Sequence, residues 1–122
     1  MSSRLSTEDV VERAKRLPEV LVRESDSYSS ITFKGKGFAW VNHPENRALI
    51  KSTHDERAAM LATSPDVYEE GWASPTTAWV LVHLEVADPD EVDELIEEAW
   101  RMTATKKVVR AFDELQGRSG PG

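Results

Sequence analysis

Ser29-Ser30-Ile31-Thr32-Phe33-Lys34-Gly35-Lys36-Gly37-Phe38-Ala39-Trp40-Val41-Asn42 is the stretch that decides the fold. Ile31 and Phe33 alternate with Thr32 and Lys34, and the period of two resumes after the glycines, with Phe38 and Trp40 on one face and Ala39 and Val41 on the other. Lys34-Gly35-Lys36-Gly37 between the two runs is a tight turn, because glycine reaches the positive φ that short hairpin connections need. A phosphate-binding loop is the competing reading of Gly-Lys-Gly. It fails because such a loop must feed a helix, and here strand pattern continues on both sides.

Further strands and helices are expected around this hairpin. Asn42 to Asn46, with Pro44, reads as a turn, and residues 47–51 as a third strand. Thr53-His54-Asp55-Glu56 has the form of a capping box opening a helix to about Ser64, with Ala58, Met60, Leu61 and Ala62 as its buried side. Residues 66–77, containing Tyr68, Gly71, Trp72 and Pro75, are expected to form an ordered loop pinned by its aromatics. Residues 78–86 give the clearest strand, with Val80, Val82, Leu84 and Val86 on one face and Trp79, Leu81, His83 and Glu85 on the other. Asp88-Pro89 is a cap followed by an N1 proline, and Val92, Leu95, Ile96, Ala99 and Met102 then repeat at helical spacing. Thr103 or Thr105 starts a last helix carrying Val108, Val109, Phe112 and Leu115. Upstream, Ser6 caps a helix to Leu17 that Pro18 stops, and residues 20–22 form a short strand or an extended link. This order predicts an α/β domain of the α+β kind, an antiparallel sheet with helices packed on one face. It places a single domain at 1–116 and a frayed tail at 117–122.

Composition narrows the function classes. The chain has 122 residues, 39% of them apolar and 30% charged, and a formal net charge of -7. With no cysteine, disulfides, thiolate catalysis and sulfur-held metal sites are excluded. Neither a membrane-length apolar run nor a basic-then-apolar leader is visible, so the expectation is a cytoplasmic monomer with no membrane partner. Charge is unevenly placed. Residues 51–122 hold fifteen acids against seven bases, most of the surplus lying in 85–98, while Arg101, Lys106, Lys107 and Arg110 follow directly. A field of this overall sign repels polyanions, yet a local basic face can still contact phosphates.

Several pieces together resemble the MmcQ/YjbR family. They are Arg16-Leu17-Pro18-Glu19-Val20, the hairpin from Phe33 to Trp40, Glu56-Arg57, Trp79-Val80-Leu81-Val82-His83-Leu84, the helical run from Glu91 to Trp100-Arg101, and Lys106-Lys107-Val108-Val109. The resemblance implies a CyaY-like, frataxin-like fold and, through the family's usual label, DNA binding. It marks the Gly35–Lys36 turn and Lys106–Lys107 as the basic positions. The chain departs from the pattern where many members carry Ser-His or Pro-His before the first hairpin strand, having Asp26-Ser27-Tyr28 there. It also has Ala104-Thr105-Lys106-Lys107 for Ala-Pro-Lys-Arg.

The candidate DNA-contacting set is therefore Lys34, Lys36, Arg47 and Lys51 on the hairpin and third strand, joined by Lys106, Lys107 and Arg110. Cations at such positions touch phosphate oxygens and fix register without reading bases. The alternative is a protein or small-ligand site built from Trp40, Tyr68 and Trp72 around the expected loop. Two other chemistries have weaker footing. Asp90, Glu94 and Glu97 share a helix face, but one face does not supply convergent metal ligands. His83 and Glu85 are two apart on one strand face and could form an acid–base couple, but no nucleophile or second histidine stands at a catalytic spacing. The expectation is a non-enzymatic binding domain with no metal and no cofactor.

Overall fold

A computed structural model describes residues 5–117. The expected tail falls outside the described residues except for Gly117, which takes a left-handed conformation (φ 70°) just after the last helix. Chain order is α1 (Thr7–Lys15), β1 (Val20–Glu24), β2 (Tyr28–Phe33), β3 (Lys36–Asn42), β4 (Arg47–Ser52), α2 (His54–Thr63), β5 (Tyr68–Ala73), β6 (Ala78–His83), a single 3-10 turn (Leu84–Val86), α3 (Pro89–Thr103) and α4 (Lys106–Leu115). The six strands form one sheet in the order β1-β2-β3-β4-β6-β5, and every pairing is antiparallel.

The decisive hairpin closes through Lys34 and Gly35, with φ of 49° and 84°, and Phe33 pairs with Lys36. Two consecutive positive φ values match the right-handed twist of the strands, and glycine takes the second at no steric cost. The register slips between Ile31 and Thr32, which face Ala39 and Gly37, so Phe38 is a bulged residue. The bulge corrects the expected facing. Phe38 and Ala39 are both buried, whereas Trp40 points outward with Val41 behind it. An extra residue in one strand reverses side-chain parity beyond it. Trp40 then folds back across Gly37, where a Cβ would sit 2.8 Å from the indole.

The inner face of the sheet runs Val22, Ile31, Ala39, Ile50, Val80 in one row, and Ser29, Val41, Ala48, Val82, Tyr68 in the next. Helices α1 and α3 pack on it through Val10, Val11, Ala14, Val92, Ile96 and Ala99. Trp100, which the spacing placed one position off the stripe, is fully buried. Its Nε1 donates to Pro18 O at 3.0 Å and its ring meets Phe112 at 5.0 Å, joining α3 to the α1–β1 link and to α4. His43 bridges two hydroxyls, Thr7 Oγ1 at 2.6 Å and Ser29 Oγ at 2.8 Å, tying α1 to the sheet.

Three expectations are corrected. Residues 68–73 are not loop but edge strand β5, since backbone pairing with β6 forms a strand even where the side chains are Glu69, Glu70 and Gly71. Helix α2 has its predicted capping box, but none of its residues is buried. Met60 and Leu61 are half-covered and Ala58 and Ala62 exposed, because the helix flanks the β5 edge instead of covering the sheet. The strand at Ala78 ends at His83 and turns. His83 therefore contacts Glu69 across the sheet and not Glu85, which takes Arg47 instead.

Candidate nucleic-acid interface

One end of the molecule collects the β2–β3 turn, the end of β4, the end of α3 and the start of α4. Lys51, next to last in β4, links them. Its ammonium donates to Thr103 Oγ1 at 3.2 Å, and that hydroxyl in turn donates to Ala99 O at 2.9 Å. Burial, and next the charge of nearby Lys36, hold the Lys51 pKa below the usual lysine value. Both effects disfavour the ammonium form. Lys36 is therefore close to Lys51, which in turn touches the last residue of α3.

Two residues past Thr103 the chain re-enters a helix. Thr105 accepts from Val108 N and caps α4, whose first turn carries no acid. Lys106, Lys107 and Arg110 are exposed, and Arg110 lies three and four residues beyond the lysines, so the three share a face. Two lysines at a helix start oppose the helix dipole, and anions are favoured there. Among the described residues no carboxylate pairs with Lys36, Lys51, Lys106, Lys107 or Arg110.

The carboxylates that could have neutralised this end are held elsewhere. Arg101 binds Asp113 at 2.5 and 3.1 Å and Glu97 at 3.0 Å. The hydrogen bond to Asp113, ahead of the one to Glu97, drives its pKa still further above the ordinary arginine value. In the sequence Arg101 reads only as one more cation. Its position four residues after Glu97 was the available signal for the first pair, and nothing local announced Asp113.

Two of the sequence-predicted cations differ from this set. Lys34 stands at the same end but is paired with Glu19 at 3.3 Å and lies over the Phe33 ring. Arg47 begins β4, at its opposite end from Lys51, and its guanidinium reaches Glu85 at 3.0 Å and Glu45 O at 2.9 Å. Side chains four residues apart on a strand are roughly 13 Å apart, so Arg47 is both distant and neutralised.

The predicted aromatic set is dispersed. Trp40 lies on the outer sheet face against Trp79, centroids 5.0 Å apart, and lines a shallow groove with Tyr28, Leu49 and Leu81. Tyr68 is buried on the inner face and donates to Glu91 at 2.7 Å. Trp72 is on edge strand β5, 66% exposed, and lines neither Trp40's groove nor the one beside Tyr68. Among the described residues no three His, Asp or Glu side chains gather to hold a metal ion, and no helix is long and apolar enough to cross a membrane.

Comparisons with known proteins agree on the architecture. The family model described as YjbR matches residues 15–102. The crystal structure of Deinococcus radiodurans protein DR2400, a DUF419 domain, superposes with a TM-score of 0.70 over 93% of this chain and 89% of that one, at 15% identity. At that identity the likeness concerns the fold alone. No curated protein sequence matches significantly.

Proposed function

The chain belongs to the YjbR family, and from that premise we propose that it is a non-enzymatic nucleic-acid-binding domain whose basic end grips the phosphate backbone. The observations that support it are Lys36 beside Lys51, Lys51 on the last residue of α3, and Lys106, Lys107 and Arg110 exposed on the first turns of the helix that follows, none with a carboxylate partner among the described residues, in a protein of net charge -7. Crowding like charges is unfavourable in the free protein, and an incoming phosphate removes that cost. Lys51 is already partly desolvated and so gains most from a second acceptor. Lysines and arginines at such positions contact phosphate oxygens, so sequence preference is weak.

The test is fluorescence anisotropy of a labelled 20-bp duplex at two salt concentrations. Neutralising about four phosphates predicts roughly 150-fold weaker binding when monovalent salt rises from about 50 to about 200 mM. Charge reversal at Lys106 and Lys107 should abolish most of the low-salt affinity, while reversal at Arg47 should change it little. Absence of binding up to about 100 μM protein at low salt, where even non-specific association normally registers, would refute the proposal. The second reading, a protein partner at the β5 edge, draws on the exposed indole of Trp72. It predicts that Trp72→Ser and not the lysine variants costs the native interaction.

A further inference from the structure

The groove between α2 and α3 is a different surface from the basic end. Its floor is Met60, Leu95, Ala59 and the Tyr68 ring, its rim is Glu56, Glu91, Glu94 and Glu98, and it encloses about 320 Å³. It exists because α2 buries no residue and leaves Met60 and Leu95 half-covered beside the core. Two rim carboxylates are engaged, Glu91 by the Tyr68 hydroxyl at 2.7 Å and Glu56 by Thr53 N at 3.1 Å. Glu94 and Glu98 face each other's turn of the helix with no hydrogen bond or ion pair among the described residues. Like charges at i, i+4 repel, and neighbouring Asp93 and Glu97, by contrast, are answered by Arg13 and Arg101.

We propose that this groove docks a cationic amphipathic helix of a partner protein. Complementarity of charge selects the occupant. The apolar floor requires an apolar stripe, and an anionic or neutral helix would leave Glu94 and Glu98 facing it without compensation. Glu91, Glu94 and Glu98 stand at i, i+3 and i+7 on α3, a row about 10 Å long. A partner helix with lysines or arginines along both edges of a two-turn leucine stripe matches that row. An amphipathic helix laid in an apolar groove is a recurrent recognition mode.

The probe is a fluorescein-labelled 16-residue helical peptide with leucines at i, i+3, i+4 and i+7 and lysines flanking them. Its control has the same composition with the leucines scattered around the helix. Titrated by anisotropy against the full chain at about 100 mM salt, the stripe peptide should bind at least about tenfold more tightly than the scrambled one. Glu94→Gln with Glu98→Gln should weaken it about tenfold, whereas the equal charge change Asp90→Asn with Glu114→Gln, outside the groove, should weaken it less than about twofold. Ala59→Trp, at an exposed position, fills the groove without emptying the core and should block binding, with circular dichroism confirming that the variant is folded. The proposal is overturned if the scrambled peptide binds equally. It is likewise overturned if the outside pair weakens binding as much as the groove pair, since the general negative field would then account for the effect, or if folded Ala59→Trp binds normally.

Discussion

Replacing Trp100 by phenylalanine tests how the helical layer is attached. The indole is fully buried, donates to Pro18 O at 3.0 Å and meets Phe112 edge-on at 5.0 Å. A phenyl ring leaves roughly 40 Å³ unfilled, about 1 kcal/mol at the usual cavity cost. It also forfeits roughly 40 Å² of buried apolar surface, about another 1 kcal/mol. Pro18 O loses its donor, which adds about 1–2 kcal/mol in a partly buried setting. The expected loss is about 3–4 kcal/mol, a large share of the stability of a domain this size. At about 4 °C per kcal/mol the melting temperature should fall by about 12–16 °C. Urea unfolding followed by circular dichroism at 222 nm measures it, avoiding the tryptophan signal that the substitution alters. The midpoint should move with the slope unchanged. A loss below about 1 kcal/mol would refute the claim that this one side chain joins α3 to the α1–β1 link and to α4. A double-mutant cycle with Phe112→Leu should show a coupling of about 0.5–1.5 kcal/mol for the ring pair.

Three further predictions concern charge. Arg101→Gln should cost about 1–2 kcal/mol of stability, the guanidinium being partly solvated, and should also weaken duplex binding by removing a cation that screens Glu97 and Asp113; unchanged anisotropy titrations would show that Arg101 does not shield the basic end. Burial first, and then the hydrogen bond to Glu91, push the Tyr68 hydroxyl well above its ordinary pKa. A raised folded-state value means that this contribution is whole below about pH 10, the unfolded value, and is lost as pH rises through the folded one. Tyr68→Phe should therefore flatten the alkaline fall in stability seen in urea midpoints above pH 10. The Glu85 carboxyl is held below its usual range by its own backbone N–H and then by Arg47 and His83. Its contribution is present above about pH 4.3, the unfolded value, and disappears as pH drops through the lower folded one. Arg47→Met should make acid unfolding between about pH 4 and 2 less steep; an unaltered acid limb would exclude the pair as a contributor.

Much of the fold was legible because its determinants are local. The Lys34-Gly35 turn, the Ser6, Thr53 and Asp88 caps, Pro89 at N1 and the apolar stripe of α3 each depend on neighbours within one turn or one strand, and each appears where the pattern put it. Strand β5 was misread because Tyr68-Glu69-Glu70-Gly71-Trp72 lacks alternation; an edge strand is stabilised by its partner's backbone, which leaves little trace in side-chain pattern. The period of two pairs Phe38 with Trp40 on one face, and the structure separates them, because a one-residue bulge is invisible to a period-two count. The basic positions were legible as residues, but their grouping was not. Arg47 and Lys51 looked equivalent on one strand, yet one is neutralised by Glu85 and the other meets Thr103.

From sequence alone follow the antiparallel α+β class, the order of the elements, an acidic balance and the stock of cations available for phosphate. Tertiary structure alone decides which cations stay unpaired, that α2 leaves a groove open against α3, and that Trp40, Tyr68 and Trp72 share no groove. The physical reason is range. Propensity, capping and hydrophobic period act over a few residues and are written into the chain, whereas a charge is free or neutralised according to what lies within about 4 Å of it. For Lys51 that neighbour is 52 residues away.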